Sequence, residues 1–146
     1  MEFELLTPAG VHWNSMIEYA ENCSWSAGRA RAENMKKTAF TDWERVIAVL
    51  DRGKICGFCT VAKTDCIPDV NFTPYIGFVF VDEAHRGRRL SQSMIRFSMV
   101  YLKTLGFDRV YLTSDHENLY EKYGFTVIGQ GKAYWGPVEK IYMRML

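Results

Sequence analysis

Between the apolar run YIGFVFV (Tyr75–Val81) and the β-rich run RVYLTSD (Arg109–Asp115) lies a stretch with a different hydrophobic period. Leu90, Met94, Phe97, Tyr101 and Leu105 step by four, three, four and four, which is one stripe of an α-helix. Gln92, Arg96 and Lys103 fall on another face, and Gly106 stands where helices commonly end in a left-handed residue. Strand, helix and strand in this order predict a parallel crossover, right-handed because that hand dominates such connections. The chain must therefore combine helices with a sheet containing at least one parallel pair.

The remaining elements arrange themselves around this unit. FELLT predicts a short first strand, broken by Pro8-Ala9-Gly10. Val11, Met16, Ile17 and Ala20 predict a helix, and a second is expected from Ala27. ERVIAVLD and KICGFCTVAK flank Arg52-Gly53, a hairpin pattern, and TDCIPDVNFTP reads as a loop. HENLYEKYG predicts a short helix with Asp115 as N-cap and Gly124 as its stop. FTVIGQG and EKIYMRML predict a closing hairpin. The order is β-α-α-β-β-β-α-β-α-β-β, without internal repeat or linker, so a single domain over residues 1–146 is expected.

Composition removes several function classes. A net charge of +1 gives no global field for nucleic acid or an anionic membrane. No apolar run approaches the roughly 20 residues of a membrane span. The N-terminus MEFELLTPAG begins acidic and lacks the order of a secretory leader. CGFC at Cys56–Cys59 lies in a strand pattern, where an offset of three is expected to send the thiols to opposite faces. No second ligand pair follows, so no metal is expected, and buried reduced cysteines in a cytoplasmic chain are.

The turn before the long helix, VDEAHRGRRLS, concentrates Arg86, Arg88 and Arg89 around Gly87. A helix start leaves backbone N–H groups unpaired and partly positive. Glycine lets main chain approach a ligand, and arginines add forked donors suited to phosphate oxygens. Together they describe a polyanion site at a helix N-terminus, with a basic surface turn as the plainer alternative.

Here the chain resembles the GCN5-related N-acetyltransferase (GNAT) superfamily. VDEAHRGRRLS supplies Val81, Arg86, Gly87 and Leu90 in register with its strand-turn-helix motif. LYEKYGF, Leu119–Phe125, is similar to a second signature, and ICGF to a third, weaker one. Arg89 stands in place of a motif glycine, Ser91 in place of its last small residue, and Thr113 in place of a frequent asparagine. The resemblance implies an α/β (α+β) fold with a mixed, mostly antiparallel sheet, splayed at one parallel pair and flanked by helices. It implies acetyl-CoA as co-substrate, its pantetheine along the main chain of Val79 and Val81. Its pyrophosphate would lie against Arg86, Gly87, Arg88, Arg89, Leu90, Ser91 and Gln92. Tyr120 matches the acid that protonates the departing thiolate.

Glu83, His85, Asp115 and His116 are candidate bases by type, with water an equal alternative. Trp13, Tyr19, Trp25, Phe40 and Trp43 crowd the N-terminal third, most of them expected in the core. Trp25, Tyr75 and His116 are the candidate acceptor residues. The expected activity is acetyl transfer to a primary amine of a small molecule, with a homodimer compatible with it. A protein N-acetyltransferase and a non-catalytic acyl-CoA module stay open as alternatives. A nucleic-acid module using RGRR is disfavoured by the near-neutral charge.

Overall fold

The computed structural model describes residues 1–37, 40 and 42–146. In chain order the elements are β1 (Glu2–Leu6), α1 (Trp13–Asn22), α2 (Ala27–Lys36), β2 (Arg45–Asp51), β3 (Lys54–Ala62), β4 (Tyr75–Val81), α3 (Leu90–Thr104), β5 (Arg109–Ser114), β6 (Thr126–Lys132) and β7 (Val138–Met145). Single 3₁₀ turns occur at Glu83–His85 and Tyr120–Tyr123. The strands form one sheet in the order β1-β2-β3-β4-β5-β7-β6, antiparallel except at β4–β5. The expected parallel crossover is therefore present. No helix among the described residues is long and apolar enough to cross a membrane.

The sheet is covered on both faces, and β2 explains how one strand serves two cores. Along RVIAVL, Val46, Ala48 and Leu50 pack with α1 and α2, while Ile47 and Val49 pack beneath α3. Alternation in a strand sends neighbours to opposite faces, so a continuous apolar run marks burial on both. At the β2–β3 turn Arg52 and Gly53 have φ of 51° and 80°. That pair of positive torsions suits a two-residue hairpin.

Three sequence expectations are corrected. Cys56 and Cys59 are free thiols on the same face, both in the core beneath α3. The register shifts between Val49 and Leu50, which face Gly57 and Ile55, so Cys56 is an extra residue and resets the alternation. The buried face of α3 is Leu90, Met94, Ile95, Ser98 and Leu102; Phe97 and Tyr101 flank it and Leu105 is 44% exposed. Ser98 belongs to that face because its hydroxyl donates to the Met94 carbonyl at 2.8 Å. HENLYEKYG forms a four-residue 3₁₀ turn in place of a helix, with Leu119 and not Asp115 at its N-cap. Gly124 does end it, at φ 86°.

Candidate active site

β4 and β5 register only at Tyr75 and Tyr111, and beyond that pair they part. The reason lies one strand away. Thr60 faces Gly77 and Phe58 faces Phe80, so two residues of β4, Phe78 and Val79, oppose Cys59 alone. This bulge turns β4 out of line with β5. Phe78 takes a left-handed torsion, φ 50°, at a cost of about 1 kcal/mol for a residue with a Cβ. Gly77 adjoins the bulge and serves another purpose: a Cβ there would lie 3.1 Å from the Asp65 carboxylate.

The strands open onto a cleft of about 920 Å³. At one end stands the basic turn. Asp82 accepts from the Ala84 N–H at 2.8 Å and caps the 3₁₀ turn Glu83–His85. His85 Nε2 lies 3.0 Å from Asp51 on the β2–β3 hairpin, and this partner holds the Asp51 carboxyl below its usual range. Gly87 and Arg89 both have positive φ, 82° and 56°. Arg89 thus adopts the conformation that a glycine would adopt without cost. The helix opens with a bond from the Ser93 N–H to the Arg89 carbonyl at 3.1 Å, and the N–H groups of Leu90, Ser91 and Gln92 precede it.

Val79, Val81, Arg86, Gly87, Arg89, Leu90 and Ser91 line the cleft; Arg88 and Gln92 do not. Arg86 Nε donates to the Val81 carbonyl at 3.0 Å, and the Ser91 and Tyr123 hydroxyls bond at 2.9 Å. Main-chain N–H groups, two left-handed residues and arginine charge form a surface that fits a pyrophosphate. The gap between separated strands fits an extended amide chain.

The other end of the cleft is aromatic. Tyr120 is buried against Tyr142, Tyr123, Phe125 and His116, with ring centroids 5.8, 5.9, 6.3 and 6.3 Å away. Burial first, then the neighbouring Tyr123, push its hydroxyl well above the usual tyrosine range. Such a group is protonated at neutral pH. Glu83, His85, Asp115 and His116 all line the cleft. Asp115 and His116 are exposed, and Ser114 Oγ accepts from the His116 N–H at 3.0 Å. Trp25 lines the cleft too, stacked on Phe80 at 6.0 Å and 2°.

Tyr75 belongs elsewhere. It lines a second cavity of about 300 Å³ with Arg31, Asn34, Asp65, Cys66, Tyr134 and Trp135, and this cavity shares Gly77 and Phe78 with the cleft. Asp65 accepts from Thr113 Oγ1 at 3.1 Å and from the Cys66 N–H at 2.8 Å. Burial pushes its carboxyl up to about 6, against those two hydrogen bonds. The Cys66 thiol lies 3.3 Å from Thr113 Oγ1 and 3.5 Å from Glu139, whose own carboxyl is raised by burial. Sequence reasoning did not single out Arg31, Asp65 or Glu139. They come from a helix, an irregular loop and the last strand, and no local pattern joins them.

Residues 13–125 match the model of the acetyltransferase (GNAT) family. The chain belongs to that family. It is an acetyltransferase, and its sheet, splayed at a parallel pair, is the family's architecture. Among solved structures it is similar to an aminoglycoside 6'-N-acetyltransferase complexed with coenzyme A, with TM-score 0.74, 15% identity, and 99% of this chain and 97% of that one covered. The aminoglycoside 6'-N-acetyltransferase from Enterococcus faecium gives the same four values. A ribosomal-protein-alanine N-acetyltransferase from Brucella melitensis follows with TM-score 0.65, 15% identity and 100% of both chains. At these identities the likeness is one of fold. The sequence matches no curated protein.

Proposed function

We propose that the protein transfers an acetyl group from acetyl-CoA to a primary amine of a small molecule by direct attack. The observation that carries this reading is the continuity of the cleft. It runs from the basic turn, between separated strands, to Tyr120, and meets a smaller cavity at Gly77 and Phe78.

Arg86, Gly87, Arg89, Leu90 and Ser91 would hold the pyrophosphate, through main-chain N–H groups and arginine charge. The main chain of Val79 and Val81, which lines the cleft, would pair with the pantetheine amides, Arg86 Nε giving up the Val81 carbonyl where the ligand needs it. The bound thioester supplies an activated acyl carbon and a sulfur leaving group. An attacking amine must be neutral, although its ordinary pKa is near ~10.4. Burial keeps Tyr120 protonated at neutral pH, so its hydroxyl would be present as the proton donor to sulfur as the C–S bond breaks. The 300 Å³ cavity is at the small end of ligand pockets, which favours a small acceptor over a peptide segment.

Binding can be read by linkage, since a ligand that binds only the folded state raises the melting temperature with its concentration. Acetyl-CoA should raise it, and ATP, which offers no pantetheine, should do much less. Gly87→Glu places like charge where the phosphates lie and should reduce the shift more than Arg96→Glu, on the far face of α3. Thiol release with a panel of amines then reads turnover. No shift with saturating acetyl-CoA would overturn the proposal.

A further inference from the structure

The smaller cavity has its own electrostatic design. Arg31 is 5% exposed and Tyr75 2%, and the Arg31 Nε and Tyr75 hydroxyl lack a hydrogen-bond partner among the described residues. Buried polar atoms are seldom left this way, because each forfeits its hydration without replacement. The Arg31 guanidinium is held between two rings, 3.9 Å from the Phe78 centroid and 4.8 Å from that of Phe40. Its plane is thereby set in advance. Burial lowers its pKa to about 10, so it stays cationic at neutral pH. Among the described residues no ion pair joins it to Asp65.

The carboxylate of Asp65 marks the other end. It lies against Gly77, one of the two residues the cavity shares with the cleft, and accepts from Thr113, which lines the cleft. Both charged groups thus adjoin the seam between cavity and cleft, Asp65 at Gly77 and Arg31 at Phe78, and only the carboxylate is tied to the cleft wall, through Thr113. Tyr134 and Trp135, 72% and 63% exposed, form an aromatic rim from the turn between β6 and β7.

We infer that this cavity receives a compact amino carboxylate, an α-amino acid or close relative, with Arg31 and the Tyr75 hydroxyl binding its carboxylate and Asp65 its ammonium group. The inference rests on the acetyl-transfer reading of the adjoining cleft. A polycationic acceptor such as an aminoglycoside fits poorly, because 300 Å³ is small and a buried arginine repels it.

Asp65 is also placed to solve the protonation problem. Around it are Arg31 from α2, Tyr75 from β4, Thr113 from β5, Cys66 from its own loop and Glu139 from β7. Arg31 lowers its pKa and Glu139 raises it, less than burial does. One ammonium proton passes to Asp65, and the neutral nitrogen forms its bond to the thioester carbon. The C–S bond then breaks and the Tyr120 proton goes to sulfur. The second nitrogen proton restores the Tyr120 hydroxyl, and Asp65 releases its proton to solvent. The sum is amide, thiol and one proton.

The test compares free α-amino acids with the matched α-amino acid amides, which keep the amine and lose the carboxylate. With wild-type protein and acetyl-CoA, kcat/KM for the acids should exceed that for the amides about ten- to a hundredfold, as expected for a charge-assisted hydrogen bond. Arg31→Gln should bring the ratio close to one while leaving the acetyl-CoA melting shift intact. If that variant does not fold, Tyr75→Phe should narrow the ratio by removing one hydroxyl. Asp65→Asn should lower kcat for both and abolish the acid limb of the pH profile. Amides used as well as acids, or a ratio unchanged in both Arg31→Gln and Tyr75→Phe, would overturn the inference. If no acid turns over, calorimetry with the same acids in the presence of CoA decides: absence of binding overturns the cavity assignment. Failure of acetyl-CoA to shift the melting point overturns the cleft reading instead, and the calorimetric arm still tests the cavity.

Discussion

Gly28 offers a direct check on how the helix pair supports the cleft. It is the second residue of α2, where replacing glycine by alanine ordinarily favours a helix by roughly 0.5–1 kcal/mol. Here the added Cβ would lie 2.4 Å from the Ala20 carbonyl oxygen of α1 and 2.5 Å from Cys23 Sγ. Carbon and oxygen not joined by a bond rarely approach closer than about 3.3 Å, so the helices must separate by nearly an ångström. The thiol can rotate, giving up weak contacts to the Ala20 and Trp25 carbonyls. The main-chain oxygen cannot. Overpacking of this kind costs about 1–3 kcal/mol, which outweighs the propensity gain and leaves a net loss of about 1–2 kcal/mol. For a chain of this length that lowers the melting temperature by about 3–8 °C. Differential scanning fluorimetry and a urea titration would measure it. Gly28→Ala/Cys23→Ala should recover only part of the loss, because the carbonyl contact remains. Acetyl-CoA affinity should fall as well, since Trp25 rides on the same loop and stacks on Phe80. A variant melting at or above the wild-type temperature would refute the reasoning: propensity would have won, and α1 and α2 could not be this close.

Three further outcomes are expected. Arg89→Gly should raise stability by about 1 kcal/mol by relieving the left-handed torsion, yet weaken acetyl-CoA binding by removing a cleft charge; a fall in melting temperature would contradict the torsion argument. The folded-state pKa of Asp65 is raised from 3.8 to about 6. Its stabilising contribution is therefore complete below 3.8 and lost as pH rises through about 6. At roughly 1.4 kcal/mol per unit, trimmed for partial exposure, Asp65→Asn should gain about 1–2 kcal/mol on wild type between pH 4 and pH 8 in paired melts; a gain in the opposite direction rules out burial as the cause. Tyr120→Phe should lower kcat by about 10²–10⁴-fold with the acetyl-CoA melting shift unchanged, and wild-type turnover with chemistry rate-limiting would falsify the acid assignment. Tyr123→Phe is an informative companion because it removes the hydroxyl bonded to Ser91.

The elements that could be read from the chain are those whose signal is local. β2 announces its two buried faces by an unbroken apolar run, and Arg52-Gly53 marks its turn. The basic turn and the LYEKYGF stretch carry chemistry in consecutive residues. Local pattern misleads where tertiary contacts overrule a period. A bulge at Cys56 reverses strand parity, and Ser98 enters an apolar face by bonding to its own helix. The acceptor cavity lay beyond reach for a different reason. Arg31 and Asp65 are 34 positions apart, in a polar helix and a loop, and each alone reads as a solvated residue. Their meaning depends on the fold that surrounds them. Tyr75, a candidate acceptor residue by sequence, lines the cavity proposed above for the acceptor.

The parting of β4 and β5 also bears on how the molecule opens. The hydrogen-bond ladder β1-β2-β3-β4 meets the ladder β5-β7-β6 in register at a single residue pair. Each ladder can therefore loosen with its own free energy, as partly independent cooperative units do. Tyr111 N–H, bonded to the Pro74 carbonyl at 2.9 Å, stands at the seam. Amide hydrogens along the rest of β5 that face the gap have no neighbouring strand to shield them, and they should exchange with solvent ahead of those in β2. A molecule that lays amides along both lips of the gap would couple the two units. Acyl transfer and release would then be accompanied by a change in how much of the sheet opens as one body.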